Sequence, residues 1–309
     1  MPLLGNPHQR AHFVDLLERG IAQVYFNELE IADSGILEQL YNMKTSEKAV
    51  EHDVVVAGLN VALPMSEGSD PQFDNMQEAW KVDYTALASG IATEFTHESI
   101  EDNLYLTLGK EMAQELARTM SYTRTIGGMD LFNDSTKVIY TYAAVTHTLL
   151  DTAHPLVSGG TWGNKRTQKV LLSQEALEDA IQAWSNQLVD LRGRKYVVQP
   201  ALLVHGPQDR FLVQRLLNTP TAQGRPQSAD NDINPLAKLN ITPFCNPHQT
   251  DDGRWFLFAP KRNLRLKYWD REKPMMKRVD STTNWNVKMM SYMRNSHGAS
   301  SPEGIWGSW

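Results

Sequence analysis

An α+β fold is predicted by three features of this sequence. A long amphipathic helix is written between Thr96 and Ser121. Strand-like runs flank a polar insertion between Val54 and Phe95. A second succession of helix and strand runs from Ser173 to Phe258. Helices and strands in separate blocks, rather than in strict alternation, favour a mixed architecture over a doubly wound parallel sheet.

The opening, residues 1–44, is mixed. Phe13, Leu16 and Leu17 suit one short helix and Ile36, Leu37 and Leu40 another, so the segment reads as an arm that packs on something else. Residues 45–85 read as a long hairpin. Val54, Val55 and Val56 begin a strand-like run to Val61, and Pro64 to Trp80 is polar and acidic, with Glu67, Asp70, Asp74 and Glu78. A structureless stretch of that length is usually functional or disordered. From Val82 to Phe95 the period is ambiguous, because Leu87, Ile91 and Phe95 also suit a helix. Thr85, Thr93 and Gly90 favour strand.

The long helix is predicted over 99–121. Ser99 with Asp102 has the pattern of a capping box. Leu104, Leu108, Met112, Leu116 and Met120 then recur every fourth residue and form a slanted apolar stripe. Gly127-Gly128 follows the helix, and the apolar, aromatic run Thr136 to Leu150 suits a buried helix. Ser158-Gly159-Gly160 marks a boundary.

Residues 161–260 read as an α/β unit. Ser173 is a good N-cap, and Leu177, Ile181, Trp184 and Leu188 share a helical face. Gly193 ends that helix region and Tyr196 to Val204 reads as a strand. Pro207 opens a second helix, and short strands are expected at Ile241–Phe244 and Trp255–Phe258. In 261–309, Leu264, Leu266 and Tyr268 alternate with Arg265 and Lys267 as in a two-faced strand, and Ile305, Trp306 and Trp309 give the tail something to dock with.

Composition narrows the function. The chain has 309 residues, is 41% apolar and 21% charged, and carries a net charge of −6. Its longest apolar runs are too short to span a bilayer, so no membrane partner is expected, and the N-terminus lacks the apolar core of a signal peptide. One cysteine, Cys245, excludes an intrachain disulfide. Residues 1–150 carry 9 Lys/Arg against 22 Asp/Glu, whereas 151–309 carry 21 against 14. Such asymmetry suits acidic and basic surfaces of neighbouring copies meeting. It argues against tight sequence-specific DNA binding.

No enzyme motif survives inspection, so no catalytic residue, cofactor or resident metal is expected. Gly159 to Lys165 has the flavour of a phosphate loop but fails the Walker pattern. His147, Asp151 and His154 fall at i, i+4 and i+7, one helical face if the helix continues, and make a metal-dependent hydrolase the alternative from another class. Lys261 to Arg278 carries eight basic residues with Tyr268 and Trp269 among them. That mixture suits single-stranded nucleic acid, but a charged strand edge or a contact to an acidic neighbour explains it better.

Several stretches carry a family resemblance. Tyr84 to Tyr105 (YTALASGIATEFTHESIEDNLY) is an extended run feeding a long helix. Leu171 to Leu188, Gly193-Arg194 and Val197 to His205 form a helix, a glycine turn and a P-x-x-L-V strand. Phe211 to Asn218, Arg254 to Ala259 and Tyr292 to Trp309 complete the order of elements. This order resembles the major capsid proteins of tailed phages, the Hong Kong 97-type fold, and within them the Mu-like major head proteins. The resemblance implies an N-terminal arm, an extended hairpin loop, a spine helix within a peripheral domain (86–160 and 261–309) and an inserted axial domain (161–260).

It also implies a structural protein of the virion, not an enzyme, assembled in the host cytoplasm. Copies of the chain would form pentamers and hexamers of an icosahedral shell around double-stranded DNA. Portal and decoration proteins would be partners. So would a separate scaffolding protein, because few residues precede the hairpin. An encapsulin-like nanocompartment shares the fold and is the related alternative. On this reading the acidic tip at Glu67, Asp70, Asp74 and Glu78 meets basic residues of an adjacent copy, with Lys81, Arg265, Lys267 and Arg271 as contact candidates.

Overall fold

One long helix organises the chain. The computed structural model describes residues 14–33, 35–96, 105–134, 136–195, 197–219, 234–280 and 286–309. Helices α1 (Val14–Ala32) and α2 (Ile36–Leu40) lead into strands β1 (Asn42–Thr45), β2 (Val50–Ala57), β3 (Gln77–Thr85) and β4 (Leu87–Phe95). The long helix is α3 (Tyr105–Asn133). Two small hairpins follow, β5 (Val138–Tyr142) with β6 (Val145–Thr148), and β7 (His154–Pro155) with β8 (Thr161–Trp162). Then come α4 (Gln174–Gln187), β9 (Leu202–His205), α5 (Arg210–Asn218), β10 (Thr242–Cys245) and β11 (Trp255–Phe258). The chain closes with β12 (Leu266–Asp280), β13 (Val287–Ala299) and β14 (Ile305–Ser308).

Two four-stranded sheets result, in the orders β1-β12-β13-β4 and β10-β9-β11-β14. The last segment of the chain is shared between them. β12 and β13 form a long antiparallel ribbon in the first sheet, and β14 pairs with β11 in the second, Trp255 opposite Ser308. A continuous core joins the two and includes the fully buried Trp184, Trp255 and Trp306. Ser173 caps α4 as its sequence suggests, its hydroxyl accepting from Ala176 N at 3.1 Å. The strand expected over Tyr196–Val204 is confined to β9, and Tyr196 lies outside the described residues.

The spine helix departs from expectation at its far end. The expected start at Ser99 and Asp102 lies outside the described residues. The predicted end at Ser121 is overturned, because α3 runs 29 residues, about 43 Å, through Gly127-Gly128 to Asn133. Two glycines cost a helix about 2 kcal/mol in propensity. Packing offsets this. A Cβ on Gly128 would lie 2.2 Å from a Leu37 methyl, so any larger residue here would force the buried Leu37 side chain to move. Tyr41 donates its hydroxyl to Gly128 O at 2.6 Å, and Met129, Leu131 and Phe132 are buried just beyond.

The predicted stripe is buried at Leu116 and Met120 and exposed at Leu108, and the buried face widens to include Ala113 and Ala117. The small side chains Ala113 and Ala117 admit α1, whose Ile21 and Tyr25 pack there beside Met289. Arg118 donates to Glu28 at 2.7 Å and the Ser121 hydroxyl to Ala32 O at 3.0 Å. The N-terminal segment from Val14 therefore packs on the body of its own chain.

Thr136 to Leu150, expected as a buried helix, is the β5–β6 hairpin. β-Branched and aromatic residues dominate it, and they suit a pleated half-buried surface. Ala143 and Ala144 make the turn with φ of 49° and 66°, the left-handed pair that a two-residue hairpin turn requires. Neither residue announces such a turn.

Candidate assembly surface

The β2–β3 hairpin changes character along its length. At its root one face is packed, with Trp80, Val82 and Tyr84 inward and Lys81, Asp83 and Thr85 alternating on the exposed side. Trp80 is buried and stacks on Tyr140, with ring centroids 4.0 Å apart and planes 8° apart. Its indole N–H donates to Ser300 O at 2.8 Å, and the Tyr84 hydroxyl meets the Ser300 hydroxyl at 2.7 Å. Asp53 pairs with Lys267 and accepts from Ser300. Burial raises the Asp53 carboxyl, but the bonds from Lys267 and Ser300 outweigh it and hold the group below the ordinary carboxylate value.

Beyond Ala57 the strand pairing stops. Gly58 to Met76 has no helix or strand and is exposed almost throughout. Two ties hold its base. Arg192 donates to Gly58 O and Asn75 O, both at 2.8 Å, and Asn60 N donates to the Asp74 carboxylate at 2.6 Å. The Asn60 N–H, followed by that of Asn75, holds the Asp74 carboxyl below its usual range. Ser69 N closes a turn onto Ser66 O, with Gly68 at φ 80°. Between these ties Leu59, Val61, Leu63 and Met65 alternate along the outgoing side and are 46–69% exposed. Phe73 and Met76 are 91% and 67% exposed on the return. Exposed apolar side chains concentrated on one segment mark an interaction surface.

The residues expected to meet a neighbour fall into two groups. Glu67 and Asp70 lie exposed at the tip of the loop. Asp74 is taken up by backbone N–H groups, Glu78 lies 3.3 Å from Lys81, Lys267 is held by Asp53, and Arg265 faces the buried Glu303 at 3.6 Å. Arg271 is half-buried on β12. In the basic run, Tyr268 is fully buried beneath Arg124 and Lys44 lies over Trp269 at 4.9 Å, so Tyr268 offers no face for stacking on bases.

His147, Asp151 and His154 do come together, though not on a helix. His147 stands on β6, Asp151 in the turn after it and His154 on β7. His147 Nδ1 is 3.1 Å from an Asp151 oxygen. His154 is fully buried, with Nδ1 at 2.9 Å from the Tyr140 hydroxyl and Nε2 at 3.1 Å from the Asn164 side-chain oxygen. Burial drives its pKa down to about 4. The cluster ties the two small hairpins together, and through Tyr140 it touches the root of the large one.

A family model described as phage capsid protein matches residues 81–305, most of the chain. The chain belongs to the phage capsid protein family. The architecture of this capsid protein is of the Hong Kong 97 type, as solved structures show. It is similar to a virus-like particle from Pyrococcus furiosus at 10% identity and a TM-score of 0.55, covering 94% of this chain and 98% of that one. It is similar to the capsid of a native GTA particle at 11% identity and a TM-score of 0.55, covering 88% and 89%. A structure from Mycobacterium phage Adephagia matches at 14% identity and a TM-score of 0.51, covering 89% of each chain. No curated protein matches the chain.

Sequence reasoning missed two features of this capsid protein's hairpin. The alternation of Leu59, Val61, Leu63 and Met65 is legible, but the acidic residues beyond it drew attention to charge instead. The clamp made by Arg192 carries no local signal, since it lies 134 residues from Gly58.

Proposed function

We propose that this capsid protein is the main shell subunit of a tailed-phage head, with a structural rather than catalytic role. Copies assemble into pentamers and hexamers of an icosahedral shell that encloses double-stranded DNA and becomes part of the virion. Gly58 to Met76 lies across a neighbouring copy, and Leu59, Val61, Leu63, Met65 and Phe73 are buried there. The observation that carries this reading is that exposed apolar segment, held at its base by Arg192 and attached to a root whose inner face is packed by Trp80, Val82 and Tyr84. Burying apolar surface at about 25 cal/mol per Å² gives the segment a driving force that its own chain does not use. Glu67 and Asp70 add charge complementarity to basic residues of the neighbour such as Arg271, which favours correct register.

Electron microscopy of the expressed chain tests the reading, alone and with the products of neighbouring genes. Closed particles are the expected result, and particles containing nucleic acid support the phage head. A protein cargo inside them would favour a nanocompartment. A chain that stays monomeric under all these conditions would overturn the proposal. Reversing the charges of Glu67 and Asp70, the two that no contact among the described residues takes up, is expected to impair assembly while the isolated chain stays folded.

A further inference from the structure

We infer that this protein binds a divalent ion of the zinc class between His147, Asp151 and His154, as a clip joining the β5–β6 hairpin to the β7–β8 hairpin. One ligand atom from each of the three lies within 4.8 Å of the others. His147 Nδ1 and Asp151 Oδ2 are 3.1 Å apart. Two donors on one tetrahedral zinc, each bonded at about 2.0–2.1 Å, sit roughly 3.3 Å apart. The pair stands at hydrogen-bond distance, close to that spacing, so an ion placed between the two would replace their hydrogen bond, with the third ligand atom within 4.8 Å.

Asn164 decides which nitrogen of His154 is available. Its Nδ2 donates to Leu149 O at 2.9 Å, which fixes the orientation of the amide. Its Oδ1 accepts from Asp151 N at 2.9 Å and faces His154 Nε2 at 3.1 Å. An amide oxygen has no hydrogen to give, so Nε2 carries the proton and Nδ1 keeps its lone pair. That lone pair accepts from the Tyr140 hydroxyl at 2.9 Å, a place that a bound ion would take. An imidazole held at its outer nitrogen by an acceptor, with the inner nitrogen deprotonated, is the arrangement that orients metal-ligating histidines.

His147 and His154 are buried, whereas the Asp151 side chain is 27% exposed. Asp151 thus marks the entry side, where water completes the coordination. Two imidazoles and one carboxylate suit zinc, cobalt or nickel, and calcium and magnesium prefer oxygen alone.

The test uses the full chain, stripped with chelator, loaded with zinc chloride and desalted before its metal content is measured. One zinc per chain is expected, with a higher melting temperature in zinc chloride than in magnesium chloride. Cobalt chloride should give the strong visible bands of a four-coordinate site. Asp151→Asn and His147→Gln each should weaken zinc binding at least ~10-fold, with circular dichroism without metal confirming that each variant folds. Tyr140→Phe, which removes the hydroxyl competing for Nδ1, should retain zinc. A wild-type chain that holds no zinc after desalting would overturn the inference. So would zinc bound as tightly by both ligand variants as by the parent.

Discussion

The root and the distal loop of the β2–β3 hairpin belong to one supersecondary unit, yet they obey opposite rules. At the root, Trp80 and Tyr84 are buried and both bond to Ser300, and Asp53 is paired with Lys267. In the distal loop, Phe73 and the row Leu59, Val61, Leu63 and Met65 face outward. The root serves the stability of the single chain, and under the proposed function the loop serves contact with another. The difference teaches that an exposed apolar segment is informative only beside an anchored base. Without the root, the same residues would read as a disordered tail.

Four changes break or sharpen that contrast. The largest effect is expected on assembly. Replacing Leu59, Val61, Leu63 and Met65 together with serine should abolish particles in sedimentation and microscopy. The monomer's unfolding free energy should stay within about 0.5 kcal/mol of the parent, as for surface substitutions elsewhere. Loss of stability equal to a core mutation would show that the loop packs on its own chain.

Next comes the root. Trp80→Ala removes the stack on Tyr140 and the bond to Ser300 O, and should cost about 3–5 kcal/mol in denaturant unfolding. Here assembly should fail because the subunit is unstable, the reverse of the loop variant.

Third is the response of the body to acid. His297 is buried, stacked on Tyr268 with centroids 5.7 Å apart, and burial, with a smaller push from Lys137, lowers its pKa to about 4. The unfolded chain takes up this proton near pH 6.5 and the folded chain only near pH 4. Its contribution is therefore fully present above pH 6.5 and is lost as pH falls towards 4, about 3 kcal/mol in all. His297→Gln should flatten the slope of stability against pH in that window, and an unchanged slope would show that other groups set it. The loop has no histidine between Gly58 and Met76, so its contribution should come only from the tied Asp74 carboxyl, at the acid end of that window.

The smallest effect is a gain. Ala144→Gly relieves a left-handed alanine at φ 66° and should raise the melting temperature by the equivalent of about 1 kcal/mol. Because this turn lies outside the loop, particle yield should not fall.

The fold was legible in the sequence where patterns are local. Ser173 announces the cap of α4, and Thr85, Gly90 and Thr93 rightly favour strand over helix for the end of β3 and for β4. What stayed hidden depends on partners far along the chain. Gly127-Gly128 reads as a helix end until Leu37 and Tyr41 are seen packed against it. Ala113 and Ala117 look neutral until α1 lies on them. Ala143-Ala144 has none of the usual turn residues, so a hairpin passed for a helix. His147, Asp151 and His154 were singled out on helical spacing, and a strand and a turn brought them together instead. The charge asymmetry between the halves is spent in part within the chain, as Asp53 with Lys267 shows.

The pairing of β14 with β11 has a consequence for the order of folding. Ile305–Ser308 supplies one edge of a sheet whose other strands lie far back in the sequence. Until it docks, Phe256 and its neighbours lack their final cover, so the sheet closes only after the intervening β12–β13 ribbon has been made. A chain cut before Ile305 would leave β11 as an open edge, a template for pairing with the wrong partner.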